Sequence, residues 1–413
     1  MVFPFGRREP IEPPRTMIFA TYWFFAFAAI FLPLFWLLRN QRARMIWLLV
    51  ACVIFHAHYA GPAGVIPIVV LGVMTYLAGL TGHRGVCLLG IVVCVLALCF
   101  YKYSVFFFSG ILGQINPDWG KNLSTWTKDI LPMAPPLGIS FFAFEFVHYL
   151  YDIREGNRPL RNFFEFTGFA IYFPSLVAGP IKRYEQFIPS LKEGLAKASP
   201  SDVVVGVVQV AFGYLKKVVA DNLTLYVETY QDKFADLHLD QRWFLFAAIA
   251  FRILLDFSGY SDIAIGLARM MGIKLPPNFN WPYLATSIQK FWQRWHISLS
   301  SWIRDYVYIP LGGSRHGIAR RILNGLVAFG LCGLWHGAAW NFVVWGLYHG
   351  SGLGVCALYR RLPFGTGKAL ERVFAKLTPV NWILTQAFVW FGWLLFFFPL
   401  DKALKMAHLL FMV

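Results

Sequence analysis

Four stretches, Ile18–Leu38, Val86–Phe108, Val203–Val227 and Trp382–Leu400, run predominantly apolar for roughly the 20 residues that a helix needs to cross the hydrocarbon of a bilayer. Inside that hydrocarbon no water serves the backbone, so each run must satisfy its own N–H and C=O groups, which restricts it to a helix. The chain is therefore expected to be all-α and polytopic. Composition agrees: 58% of residues are hydrophobic and 14% charged, against about 25% charged in a soluble domain. The mean hydropathy of +0.55 is modest for that class. Some segments must be short, amphipathic or re-entrant, and such backbone survives at membrane depth only where protein or water covers it.

The net charge of +16 does not point to nucleic acid, because the basic residues fall in short loops between apolar runs, where they orient the spans. Arg39, Arg42 and Arg44 follow the first span and His83 and Arg84 follow the third, while Ala60–Gly64 carries no charge. This pattern predicts an external N-terminus and cytoplasmic first and third loops; Arg7, Arg8 and Arg15 ahead of the first span oppose it. The six cysteines lie in apolar segments with no Cys-x-x-Cys, which argues against a disulfide framework or a zinc site of the usual spacing. No clear small-residue cleavage site follows the first apolar run, so it is read as a retained span.

The longest polar stretches are Asn116–Asp129, Asp152–Asn162, Lys182–Asp202, Thr229–Arg242 and Arg360–Lys376, each of loop or interfacial-helix length. The expected organisation is a polar lead, 1–16, and a single membrane-embedded domain, 17–410. Proline and glycine punctuate the middle at Pro132, Pro135, Pro136 and Gly138, at Pro174, Gly179 and Pro180, and at Gly272, Pro276 and Pro277. These break helices into pieces too short to span, which suggests an internal funnel or cavity.

Four stretches could carry chemistry. His336 lies in Leu334-Trp335-His336-Gly337-Ala338-Ala339-Trp340, within a nearly uncharged run from Ile322 to Tyr359. An ionisable side chain there is costly and marks a candidate site, and imidazole suits general-base work near neutral pH. A hydrogen-bonded structural histidine fits equally well. On a continuing helix Trp340 would share its face. The second stretch is Phe291–Gly313. Read as one helix that Ile309-Pro310-Leu311-Gly312-Gly313 ends sharply, it puts Trp292, Trp295, Leu299 and Trp302 on one face and Arg294, Ser298, Ser301 and Asp305 towards another, with His296 between. It is either an interfacial anchor or the mouth of a pocket where Arg294 and Arg304 meet an anionic donor.

The third stretch, Leu255–Asp262, offers Asp256, Ser258 and Asp262. They could order a histidine, bind substrate, or cap broken helix ends. The fourth is Glu145-Phe146-Val147-His148 with Asp152 beyond; half of a di-iron motif is present, but no second copy exists. It reads as a polar patch lining a tunnel, and no metal is expected. Cys332 shares a helical face with His336, as a nucleophilic partner or a small buried hydrophobe. His56 and His58 are splayed, and His349 is expected to face away from His336.

Phe257-Ser258-Gly259-Tyr260-Ser261-Asp262, Asn278-Phe279-Asn280-Trp281-Pro282-Tyr283-Leu284, the Phe291–Gly313 stretch and Leu334-Trp335-His336-Gly337 together resemble the membrane-bound O-acyltransferase superfamily. Leu137–Phe142 and Ala178–Tyr184 resemble it as well, so the likeness runs from about residue 132 to the end. It implies a ring of about ten to twelve spanning, broken and re-entrant helices around a central funnel or tunnel, with His336 as the catalytic histidine and His296 at the family's second histidine position. Two bacterial branches resemble the chain: polysaccharide acetylases of the alginate type, favoured by Tyr308-Ile309-Pro310-Leu311-Gly312-Gly313, and D-alanyl transfer to teichoic acids.

The expected reaction moves an acyl group, acetyl on the favoured branch, from a thioester to a hydroxyl. His336 and His296 would be catalytic; Trp335, Trp340, Arg294, Trp295, Arg304, Asp305, Asp256, Ser258 and Asp262 would bind substrate. No cofactor is expected to be bound. The donor would be cytoplasmic acetyl-CoA or an acyl carrier protein. The acceptor would be a polysaccharide or an extracytoplasmic acyltransferase, the surroundings membrane lipid, and the location the bacterial cytoplasmic (inner) membrane. A non-enzymatic transporter explains the spans and intramembrane histidines but not the co-occurring motifs.

Overall fold

The computed structural model describes residues 18–131, 136–176, 179–359, 361, 366 and 376–412. The polar lead 1–16 with Arg7, Arg8 and Arg15, the breakers Pro132 and Pro135, and most of the Arg360–Lys376 stretch lie outside the described residues. Among the described residues every regular element is helical. In chain order the helices are α1 (Tyr22–Leu37), α2 (Gln41–Thr81), α3 (Arg84–Leu98), α4 (Pro117–Ile130), α5 (Ile139–Arg154), α6 (Phe163–Ala170), α7 (Tyr184–Lys197), α8 (Pro200–Tyr230), α9 (Leu239–Met270), α10 (Ile288–Trp292), α11 (Ile297–Ile303), α12 (Gly317–His336), α13 (Trp340–Tyr359), α14 (Thr378–Phe397) and α15 (Leu400–Leu409). Helical turns of three to seven residues join several of them.

Among the described residues seven helices are long and apolar enough to cross a membrane, and Tyr22–Leu37 and Phe106–Ile115 are shorter apolar helices. The chain is thus an all-helical, multi-pass membrane protein. Exposed Val204, Val205, Val208, Phe212, Leu215 and Val219 on α8 form the kind of apolar face that belongs against lipid. α2 owes its 41 residues to two arms meeting at Gly61, whose φ of 61° leaves the helical region just before Pro62.

The chain divides into two compact units, one of residues up to Phe212 with Ser261–Pro276, the other of Gly213–Tyr260 with the chain from Pro277 onward. In the first, Phe24, Phe31, Phe35, Phe55, Phe146 and Phe169 are fully buried. The Glu145 region is not a tunnel-lining patch. Both carboxylate oxygens of Glu145 accept from Lys182 Nζ, at 2.6 and 2.8 Å, and the two residues are 3% and 1% exposed. His148 is buried, with Nδ1 3.0 Å from the Phe144 carbonyl oxygen. Among the described residues no three His, Cys, Asp or Glu side chains converge as metal ligands.

In the second unit α12 and α13 pack as a close hairpin, made possible by glycines facing backbone. A Cβ on Gly333 would stand 2.0 Å from the Phe342 carbonyl oxygen, and one on Gly346 2.1 Å from that of Phe329. No rotamer change relieves a clash with backbone, and small residues are what lets membrane helices approach so closely. Gly333→Ala is expected to force the hairpin apart and cost about 3 kcal/mol. A lower unfolding temperature of the detergent-purified variant checks this; an unchanged one contradicts the packing described.

Candidate active site

The Phe291–Gly313 stretch is not one helix. α10 ends at Trp292, and α11 starts at Ile297 after a turn in which His296 takes φ 44°, ψ 54°. A left-handed conformation at a residue with a ring on Cβ is uncommon and strained. Two backbone bonds clamp the turn: Ile297 N–H donates to the Asn278 carbonyl and Asn280 N–H to the Arg294 carbonyl, both at 2.9 Å. Trp292, Trp295, Leu299 and Trp302 are nonetheless all buried, because the turn and the short helices fold their apolar side chains into the same unit.

The clamp sets the chemistry of His296, which is fully buried. Its Nδ1 lies 3.1 Å from Asn278 Oδ1. That oxygen also accepts from Ser298 Oγ at 2.8 Å and Ser298 N at 3.4 Å. An atom facing two other donors is the amide oxygen, so His296 Nδ1 carries the hydrogen. Nε2 is then a bare lone pair, and it has no hydrogen-bond partner among the described residues. Burial draws this imidazole down to about 3, so it stays neutral across the physiological range. In acid, below the ordinary 6.5, the unfolded chain takes up a proton the folded chain does not, and stability falls.

His336 closes α12, and its ring centroid lies 6.2 Å from that of His296. Aromatic rings wall it: Trp335 at 5.0 Å, Phe396 at 5.2 Å and Trp345 at 5.3 Å. Phe257, beside the buried Ser258, packs 4.6 Å from His296. A cavity of about 460 Å³ runs beside α12 and α13, lined among others by Trp292, Gln293, Ser301, Arg304, Arg321 and Cys332. Cys332 stands one helical turn before His336.

Other expected site residues sit elsewhere. Trp340 is not a turn beyond His336 on one helix: Gly337 is extended, α13 begins at Trp340, and that residue is 56% exposed. Arg304 is bound to the neighbouring Asp305 at 2.6 Å. Asp256 pairs with Lys217 at 2.7 Å, and α9 runs unbroken through Leu255–Asp262, so the aspartates cap no helix break. Asp262 belongs to the other unit, 3.5 Å from Gln209. Trp295 packs 4.8 Å from Trp393, and Arg294 enters the clamp through its carbonyl. Sequence reasoning did not single out Trp345 or Arg321, and it named Asn278 only within a motif. His349, expected to face away from His336, packs its ring 5.0 Å from Trp345, the ring that also touches His336.

Comparison with known proteins adds an independent line. Residues 118–374 match the model of the membrane-bound O-acyltransferase (MBOAT) family, more than half of the chain. The chain is 34% identical to the "probable alginate O-acetylase AlgI" of Pseudomonas aeruginosa over 397 residues, covering 92% of this chain and 72% of that protein. It is 32% identical to the peptidoglycan O-acetyltransferase of Helicobacter pylori over 404 residues, covering 89% and 73%. It is 29% identical to the teichoic acid D-alanyltransferase of Bacillus subtilis over 267 residues, covering 60% and 67%. With a family match of this extent and relatives of this identity, the chain belongs to the membrane-bound O-acyltransferase family.

Proposed function

We propose that this acyltransferase moves an acetyl group from a cytoplasmic thioester to hydroxyls of an extracytoplasmic polysaccharide, directly or through an extracytoplasmic acyltransferase, in the bacterial cytoplasmic membrane. The observation that carries the reading is the pairing of His336 with a second histidine whose tautomer is fixed. His336 takes the proton of the attacking hydroxyl as its oxygen bonds to the thioester carbonyl carbon. The tetrahedral intermediate collapses, the C–S bond breaks, and the leaving thiolate recovers the proton from the imidazolium. His296 remains neutral, and its Nε2 lone pair accepts a hydrogen bond that orients donor or acceptor.

The cavity supports a thioester on a long polar arm. From Arg321 to Cys332 it follows α12 for about 16 Å at 1.5 Å per residue, the length scale of a phosphopantetheine arm. Arg321 at one end suits a phosphate, and Cys332 at the other stands one helical turn before His336. Arg304 in the same lining is paired with the neighbouring Asp305, which makes Arg321 the cation tested for the donor. Arg321→Gln is expected to raise the KM for acetyl-CoA about tenfold, the loss of one charge-assisted contact, while kcat changes little; a fall in kcat alone would contradict the placement.

The acetyl reading draws support from the two acetyl-transferring relatives, which align with about nine-tenths of this chain, whereas the D-alanyl relative covers 60%. The test is the base-released acyl content of surface glycans in a strain lacking the gene and in the same strain complemented with it. Acetate that disappears and returns supports the proposal. D-alanine behaving so moves the chain to the other branch, and no change in either overturns acyl transfer to a surface polymer.

A further inference from the structure

His349 is fully buried, and neither ring nitrogen has a hydrogen-bond partner among the described residues. A neutral imidazole always keeps one N–H and one lone pair, and leaving both dry is costly. Two neighbours share the problem. Trp292 lies 5.1 Å from the His349 ring and Trp345 5.0 Å, the two indoles are 5.8 Å apart, and the Nε1–H of each is also without a partner among the described residues. Three N–H donors and one lone pair thus fall in a single aromatic cluster, enough to hold an internal water, which needs two to four polar partners. The imidazole packs closely against Gly392, where a Cβ would come within 2.8 Å of Nε2.

We infer that His349 is a positioning residue for acyl transfer: with Trp292 and Trp345 it holds a buried water that fixes the Trp345 indole edge-on against His336. This rests on the reading of His336 as the general base. Trp345 is the link, because it touches both histidines, at 5.3 and 5.0 Å, and is itself fully buried. A base whose wall is loose spends less time aligned with the hydroxyl it must deprotonate, and that loss appears in kcat rather than in donor binding.

Two measurements test the inference. In an experimental map of the full-length protein at a resolution that shows waters, density within hydrogen-bond distance of a His349 nitrogen is expected; a dry, fully packed ring overturns it whatever the acyl donor. In membrane vesicles with acetyl-CoA as donor, read as free CoA thiol, His349→Phe is expected to lower kcat about tenfold with KM unchanged. His349→Gln, which keeps a donor and an acceptor, is expected to recover most of that loss. Equal kcat in the Phe variant and wild type, or equal loss in Phe and Gln, overturns it. If His349→Phe does not reach the membrane, Gly392→Ala takes its place: its methyl group would press on His349 Nε2 itself, and an unchanged kcat counts against the inference. His336→Ala run alongside separates the two ideas, since wild-type transfer in that variant refutes the proposed base, not the water site.

Discussion

His336→Ala at matched membrane levels is expected to lower acyl transfer about a thousandfold, within the range a positioned general base contributes. Alanine can neither take the hydroxyl proton nor return it to the thiolate. The aromatic wall of Trp335, Trp345 and Phe396 survives the truncation, so the loss should not come from unfolding. His296 cannot substitute. Its Nδ1–H is committed to Asn278, and burial leaves its Nε2 so weakly basic that a proton placed there is poorly held. The measurement is base-released acyl groups per unit of surface polymer, with the variant's level and monodispersity checked in detergent. Transfer above about a tenth of wild type in a folded variant would remove His336 from the role of base.

How far this site was legible follows from where each signal sits. His336 stands out because a titratable group in a long apolar run is expensive, a cost visible in one dimension. The helical, multi-pass architecture is legible for the same reason. What defeats sequence reasoning is the third dimension. Periodicity treats Phe291–Tyr308 as one helix, yet the left-handed turn at His296 is imposed by Asn278, 18 residues away, through hydrogen bonds no helical wheel contains. Trp340 is misplaced because Gly337 ends α12 where the pattern would have continued. His349, thirteen residues on, faces away only if one helix carries both; in the α12–α13 hairpin it meets Trp345. Asp256 looks like a substrate ligand until Lys217, 39 residues upstream, occupies it.

The buried pair joins Glu145 of the Glu145–His148 stretch to Lys182 of the Ala178–Tyr184 stretch, neither of which a catalytic role absorbs, and breaking it is expected to do more damage than any surface charge change. Lys182 Nζ reaches both carboxylate oxygens and lies 5.2 and 5.7 Å from the rings of Phe169 and Phe187. It ties the irregular segment before α7 to the middle of α5. Lys182→Met leaves a carboxylate in an apolar interior, and Glu145→Leu leaves an ammonium there. Each should cost about 3–5 kcal/mol and deplete the folded protein. The double variant, Glu145→Leu with Lys182→Met, removes both charges at once. Replacing a buried pair by apolar side chains of similar volume is neutral or stabilising by about 1–4 kcal/mol, so it should recover much of the unfolding temperature lost by either single variant. Unfolding of the purified proteins in one detergent, followed by size-exclusion monodispersity against temperature, reads all four states of this cycle. Additive losses in the double variant would mean that the two residues stabilise the fold separately, and that the segment before α7 is held by its aromatic packing instead.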